Sequence, residues 1–302
     1  MLAVKQKRSS ELTRPLTGRT RVVAVFGHPV QHSLSPGMHN AAFRELGLDF
    51  VYVPFDVCPD DLENALEGIR ALGIVGVNLT IPHKERVIGL LDWVSPEALE
   101  IGSVNTVHNV DGVLKGYSTD GEGFMRSLEA EGKSADGSRA VVLGAGGSAR
   151  AVTHALAVHG AHVAVVNRTV GRAIDLAEQM NAVLSDEHDA VRAVALDSPE
   201  APQVVAEADL LVNCTSVGMH PNTGEQPVPS EWLHDGLFVY DLIYNPLKTR
   251  LLEAAEAVGA RIANGVGMLV YQGAASLEIW TGRKPSADTM KQAVLDGLEK
   301  MP

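Results

Sequence analysis

Apolar and polar positions along the chain alternate between two periods, and the alternation repeats. Val22–Phe26, Val51–Phe55 and Ile74–Thr80 are short runs rich in β-branched residues, as strands require. Between them, Met38–Leu46 and Pro59–Leu72 carry apolar residues at helical spacing, the second ended by Gly73. Ser35 stands as N-cap of the first helix with Pro36 in its first turn. Strand, helix, strand in this order predicts parallel pairing through a right-handed crossover. Gly102–His108 reads as a further strand, and Asp111-Gly112 as a hairpin turn towards Val113-Leu114. Ser95-Pro96-Glu97 opens a capped helix, and another runs from Glu122 to Glu131.

From residue 139 the same alternation restarts. Strands are predicted at Arg139–Leu143, His162–Val166, Ala193–Leu196, Ala208–Asn213, Leu237–Asp241 and Arg261–Ala263. Helices follow at Arg150–Leu156, from a Thr169 cap to about Met180, into Val205, and over Leu247–Val258. This βαβα order over 139–264 predicts one doubly wound sheet. Two helices close the chain, Met268–Trp280 and Ala287–Leu298.

The joint between Leu143 and Arg150 carries chemistry. Gly144, Ala145, Gly146, Gly147, Ser148 and Ala149 form a tight turn between strand and helix. Gly144 permits the turn, Gly146 lets the backbone approach a pyrophosphate, and Ala149 is small enough for the helix to lie on the strand. Free N–H groups at the helix start suit phosphate. The next strand ends in Asn167, Arg168 and Thr169, roughly 20 residues past the first glycine, where a ribose contact is expected. No acid stands there to accept from a 2′-hydroxyl. Arg168 and Arg172 stand there instead, and two guanidiniums suit a 2′-phosphate by charge and forked geometry. NADP is therefore preferred over NAD, against the plainer reading of two solvated surface arginines.

Polar residues gather where the first strands end. Ser33 and Ser35 follow Gly27; Asn78 and Thr80 end the third strand, and Lys84 follows. Lys84 reads either as a solvated residue at a helix start or as a cleft lysine that binds an oxyanion or carries a proton. Asp120 reads equally as an N-cap. Asn105 within a strand is unusual, since Asn is depleted there.

Composition narrows the classes. The chain has 302 residues, 45% hydrophobic and 21% charged, enough for two domains with a real core. A net charge of −12 argues against nucleic acid as a partner. Cys58 and Cys214 alone give no disulfide framework and no cysteine zinc cluster. His28 and His32 flank a proline, and His154 and His159 are poorly spaced for one helical face, so no metal is expected. No apolar run approaches the ~20 residues of a membrane span, and a cytoplasmic location is expected. Residues 1–21 are basic without an apolar core, and are expected to form a disordered tail rather than a secretion signal.

The motifs HSLSP (32–36), VNLTIPHKE (77–85), SVNTV (103–107), STDGEG (118–123), GAGGSAR (144–150), NRT (167–169), NCTSVGM (213–219), DLIYNP (241–246) and NGVGMLVYQGA (264–274) together resemble the shikimate dehydrogenase family, from Val22 onward. The resemblance implies NADPH-dependent, reversible reduction of 3-dehydroshikimate to shikimate in aromatic amino-acid biosynthesis. It implies Lys84 and Asp120 as the catalytic pair. It places Ser33, Ser35, Thr80, Asn105, Asp120, Tyr244 and Gln272 around substrate hydroxyls and carboxylate, and Leu242 and Gly265 near the nicotinamide. It implies an α/β fold of two domains. One is a substrate domain with a mostly parallel sheet, from 22–120 plus the returning helices of 265–302. The other is a Rossmann NADP domain over 121–264, in a monomer or homodimer. Ser118 departs from the family's usual Asn, and the basic tail has no family counterpart. Two rivals stay open: a quinate or dual quinate/shikimate dehydrogenase, and a non-catalytic NADP-binding sensor.

Overall fold

The computed structural model describes residues 15–184 and 190–301. Two six-stranded sheets organise them. The first contains β1 (Arg21–Gly27), β2 (Phe50–Asp56), β3 (Gly76–Leu79), β4 (Trp93–Val94), β5 (Thr106–Val110) and β6 (Val113–Tyr117), in the order β2-β1-β3-β5-β6-β4. Its helices are α1 (Ser35–Glu45), α2 (Leu62–Leu72) and α3 (Pro96–Ile101). β1 pairs parallel with β2 and β3, whereas β5 runs antiparallel to both β3 and β6. The β5–β6 hairpin turns at Asp111 and Gly112, both at positive φ, as the Asp-Gly pair predicts.

After α4 (Asp120–Ala130) comes the second sheet: β7 (Arg139–Leu143), β8 (His162–Asn167), β9 (Val191–Ala195), β10 (Leu210–Asn213), β11 (Phe238–Asp241) and β12 (Arg261–Ala263). Every pairing in it is parallel, in the order β12-β11-β10-β7-β8-β9. Its helices are α5 (Gly147–Val158), α6 (Val170–Val183), α7 (Ala201–Ala206) and α8 (Arg250–Ala257). Covered on both faces, its strands are apolar on both. Ala140 and Val142 enter one core; Val141 and Leu143 enter another. α9 (Val266–Thr281) and α10 (Ala287–Leu298) return to the first sheet, where Val270, Leu277, Trp280 and Met290 share a core with Val23, Val25 and Met38.

Several expectations need correction. Ser35 lies inside α1, and Leu34 occupies the cap position without a side-chain bond. The Ser35 N–H is instead met by Ser33 Oγ at 3.3 Å, so Ser33 has a local structural role as well. α4 starts at Asp120, not Glu122, with Thr119 as its cap residue; Asp120 is not an N-cap. Asn105 precedes β5 rather than lying within a strand. Lys84 sits in a turn, not at a helix start. Thr169 holds the cap position of α6, but its side chain makes no capping bond. α8 begins only at Arg250, because Thr249 Oγ1 accepts from the Leu252 N–H and fixes the start there. Of the predicted basic tail, residues 1–14 lie outside the described residues. Arg21 belongs to β1 and stacks over Phe50, and Thr20 donates to Asp49 at 2.9 Å.

Candidate functional site

Topology locates the cleft before any side chain does. From β7 the chain winds outward through β8 and β9, then crosses back to β10 and continues the other way. The carboxyl end of β7 is therefore a switch point, where an open α/β sheet leaves a crevice. The glycine turn lies there. Gly144 has φ +106, a conformation that glycine adopts freely. No side chain caps the first turn of α5, and a Cβ at Gly146 would meet nothing within 4 Å. Unclaimed N–H donors and open space above the turn fit a pyrophosphate.

The first sheet presses against this turn. A Cβ on Gly147 would stand 2.8 Å from Ser103 Oγ and 2.9 Å from Lys84 Cβ. The two halves of the molecule thus meet backbone to side chain, and they enclose a cleft of about 280 Å³. Ser33, Ser35, Thr80, Lys84, Asn105, Asp120, Ser148, Leu242, Tyr244, Gly265 and Gln272 all line it. The remaining nucleotide candidates lie off this cleft. Gly144, Ala145, Gly146, Gly147 and Ala149 build the turn and first residues of α5, while Asn167, Arg168, Thr169 and Arg172 lie at the end of β8 and start of α6.

Lys84 Nζ donates to Asp120 Oδ2 at 2.5 Å and to Ser148 Oγ at 3.1 Å. Both side chains of the pair are largely shielded from solvent, Lys84 at 13% exposure and Asp120 at 5%. The other Asp120 oxygen accepts from Asn105 Nδ2 at 2.8 Å. The Asn105 amide also reaches Thr119 Oγ1 at 2.9 Å and Gln272 Oε1 at 3.1 Å, and its carbonyl accepts from the Thr119 N–H at 2.7 Å. Beneath lies a second tier. Asn78 Nδ2 donates to the Asn105 backbone carbonyl at 3.1 Å and to Ser276 Oγ at 2.9 Å, and its own oxygen accepts from Tyr52 at 2.8 Å. A fully connected polar network of this kind fixes one geometry, because every member lost strands another.

Burial keeps the neighbouring groups uncharged. It pushes the Tyr244 phenol up to about 12. It also raises the Cys214 thiol, with Asp241 adding to the effect. His39, stacked on Tyr52 at 4.3 Å, is pushed down to about 3 by burial and stays neutral. Asp241 anchors the loop after β11: it accepts from Thr249 Oγ1 at 2.6 Å, Asn213 Nδ2 at 3.0 Å and the Ile243 N–H at 3.1 Å. At the rim, Asp56 holds His28 Nδ1 at 2.7 Å and Gln31 at 2.6 Å. Ser118 keeps its hydroxyl buried without a partner.

Sequence reasoning missed part of this surface. His28, His32, Met219, Met268 and Leu269 also line the cleft. The two methionines follow polar strand ends or open α9, positions that read as loop or core. Thr119 and Ser276 complete the network around Asn105 and carry no sequence signal of their own, since Thr119 reads as a flank of Asp120. Among the described residues no group of three His, Cys, Asp or Glu could hold a metal ion. No described helix is long and apolar enough to cross a membrane.

A parallel doubly wound sheet with a glycine turn at its switch point, facing a second α/β unit across a polar cleft, defines a two-domain dinucleotide-dependent oxidoreductase fold. Family models for the shikimate dehydrogenase substrate binding domain match residues 25–107, for shikimate/quinate 5-dehydrogenase residues 127–222, and for the shikimate 5′-dehydrogenase C-terminal domain residues 265–295. The NADP(+) shikimate dehydrogenase of Methanopyrus kandleri is 51% identical over 282 residues, covering 92% of this chain and 96% of its own length. A crystal structure of a shikimate dehydrogenase in complex with NADP+ superposes with TM-score 0.88 at 43% identity, over 94% of this chain and 98% of that one. The Thermus thermophilus enzyme, in complex with NADP(H) and shikimate, gives TM-score 0.83 at 42% identity, over 92% and 100% of the two chains. The chain belongs to the shikimate dehydrogenase family.

Proposed function

We propose that this protein catalyses the reversible, NADPH-dependent reduction of 3-dehydroshikimate to shikimate, in the cytoplasm, as a step of aromatic amino-acid biosynthesis. The observation that carries the reading is the convergence of Lys84 Nζ, Asp120 and Ser148 of the glycine turn at the junction of the two units. The bound cofactor supplies the hydride. Everything else falls to the chain. As a ketone is reduced, its oxygen gains negative charge and needs a proton. Lys84 Nζ, held by Asp120 Oδ2, stabilises that oxygen and delivers the proton. In the oxidative direction the same pair accepts the proton from the alcohol. Asn105 fixes the far oxygen of Asp120, so the pair keeps its orientation while the substrate changes charge. Ser33, Ser35, Thr80, Asn105, Tyr244 and Gln272 line the same cleft and hold the substrate's hydroxyls and carboxylate. The donors of the glycine turn hold the pyrophosphate, Arg168 and Arg172 the 2′-phosphate, and Leu242 and Gly265 lie beside the nicotinamide. In this reading 22–120 with 265–302 forms the substrate domain and 121–264 the nucleotide domain.

The test is a turnover matrix of shikimate and quinate, each with NADP+ and NAD+. Shikimate with NADP+ is expected to give the highest kcat/KM. A preference for quinate with NAD+ would overturn the substrate and cofactor assignment. Tight NADP+ binding with no turnover of either acid would leave a binding protein and overturn the enzymatic reading.

A further inference from the structure

Glu85, the residue after Lys84, reaches arginines on α5 and α6 beside the second sheet. Its Oε1 stands 3.3 Å from Arg172 Nη2, within hydrogen-bond reach. Its Oε2 stands 3.6 Å from Arg150 Nε, a buried nitrogen that has no hydrogen-bond partner. Arg150 is otherwise fixed, with Nη1 donating to Gln179 at 2.6 Å. Arg168, by contrast, makes no ion pair among the described residues. So one of the two guanidiniums assigned to the 2′-phosphate is free, and the other is held by a carboxylate.

We propose that Glu85 competes with the 2′-phosphate of NADP(H) for Arg172, and that binding hands Glu85 over to Arg150. This rests on the assignment of Arg172 to the 2′-phosphate. The chemistry favours the exchange. A phosphate monoester carries about −1.5 to −2 charge near neutral pH, more than the carboxylate it displaces. Glu85 then has a waiting donor, because the Arg150 Nε–H is short of a partner by a few tenths of an ångström. Glu85 is thus a specificity-determining residue, acting through Arg172. It raises no barrier to a cofactor ending in a 2′-hydroxyl and sets a penalty against the phosphorylated one. Because it is the neighbour of Lys84, the exchange also links recognition of the phosphate to the turn that carries the proton donor.

The Arg172–Glu85 pair is half exposed, so its strength is that of a surface ion pair, and the effect is modest. Glu85→Gln keeps the shape and removes the charge. By calorimetric titration at low salt, it is expected to tighten NADP+ binding about two- to fivefold and to leave NAD+ binding unchanged. The gain fades as salt is raised to about 0.5 M, because exposed charges are screened. Arg172→Ala is expected to weaken NADP+ about tenfold or more with little change for NAD+, and Glu85→Gln added to it gives no further gain. A Glu85→Gln variant that binds NADP+ no tighter, or that shifts NADP+ and NAD+ equally, overturns the competition. Arg172→Ala with unaltered NADP+ affinity would overturn the phosphate assignment beneath it, which is a separate failure.

Discussion

Removing the Asn105 amide tests whether the polar network positions Asp120. Asn105 is 2% exposed, and its side chain donates to Asp120, Thr119 and Gln272 while accepting from the Thr119 N–H. Asn105→Ala strands that N–H, a loss of about 1–3 kcal/mol, and removes a charge-assisted bond to Asp120 of about 1.5–3 kcal/mol. The gap adjoins the cleft and is lined by polar atoms, so water can enter and recover part of this. The net loss is about 2–4 kcal/mol. At roughly 2–4 °C per kcal/mol for a chain of this size, the melting midpoint is expected to fall about 4–16 °C. Asp120, released on one side, no longer fixes Lys84, and kcat/KM is expected to fall about ten- to a hundredfold. Asn105→Asp separates the two effects. It keeps the volume but sets an acceptor against Asp120 Oδ1 and Gln272 Oε1, so its activity falls at least as far. Differential scanning fluorimetry and steady-state shikimate oxidation measure both. An Asn105→Ala protein within twofold of the parent kcat/KM, with an unchanged midpoint, would refute the positioning argument.

Three further outcomes are expected. Burial lifts the Asp241 carboxyl to about 6, despite donors from Thr249, Ile243 and Asn213. The folded protein therefore holds this proton more tightly than the unfolded chain. The resulting stability is full below about pH 4 and is lost as pH rises through 6, on the order of 3 kcal/mol. His39, held near 3 by burial, contributes a slope of opposite sign across the same window, so the Asp241 share is read as the difference between denaturant titrations of the parent and of Asp241→Asn; an equal slope in the two contradicts the assignment. Gly147→Ala drives a methyl group to within 2.9 Å of Lys84 Cβ and 2.8 Å of Ser103 Oγ. It should lower kcat about tenfold or more by moving the Lys84 turn, and unchanged kcat would show that the contact is slack. Arg168→Ala should raise the NADP+ KM about ten- to a hundredfold while leaving NAD+ kinetics nearly unchanged; equal effects on both cofactors would remove Arg168 from the 2′-phosphate.

The second sheet was legible because its strands are buried on both faces. Val141-Val142-Leu143 and Leu210-Leu211-Val212 are continuous apolar runs bounded by polar residues, and helices of clear period separate them. The glycine turn was legible for a local reason, since strand, turn and helix are contiguous. The errors share a different origin. Ser35, Asp120 and Asn105 are small polar residues that ordinarily cap helices or end strands, and local sequence describes each that way. What reassigns Asp120 and Asn105 is contact between residues far apart in the chain, Asp120 with Lys84 and Asn105 with Gln272; Ser35 misses the cap position by one residue, for the local reason that α1 begins at it. Helix α9 brings Gln272 and Ser276 under the first sheet, and nothing near Asn105 in sequence announces it. The alternative readings of Lys84 and Asp120, as solvated lysine and as cap, were undone by the ion pair between them. The family motifs had pointed to both residues without supplying its geometry.

The most direct measurement is single-turnover reduction of 3-dehydroshikimate by the Lys84→Ala protein, read beside its NADPH dissociation constant. The expected result is a rate lower by about a hundredfold or more, with NADPH bound within threefold of the parent. A variant that turns over at the parental rate would contradict the assignment of the proton to Lys84. One that loses NADPH affinity in step with its rate would contradict the separation of proton transfer from cofactor binding.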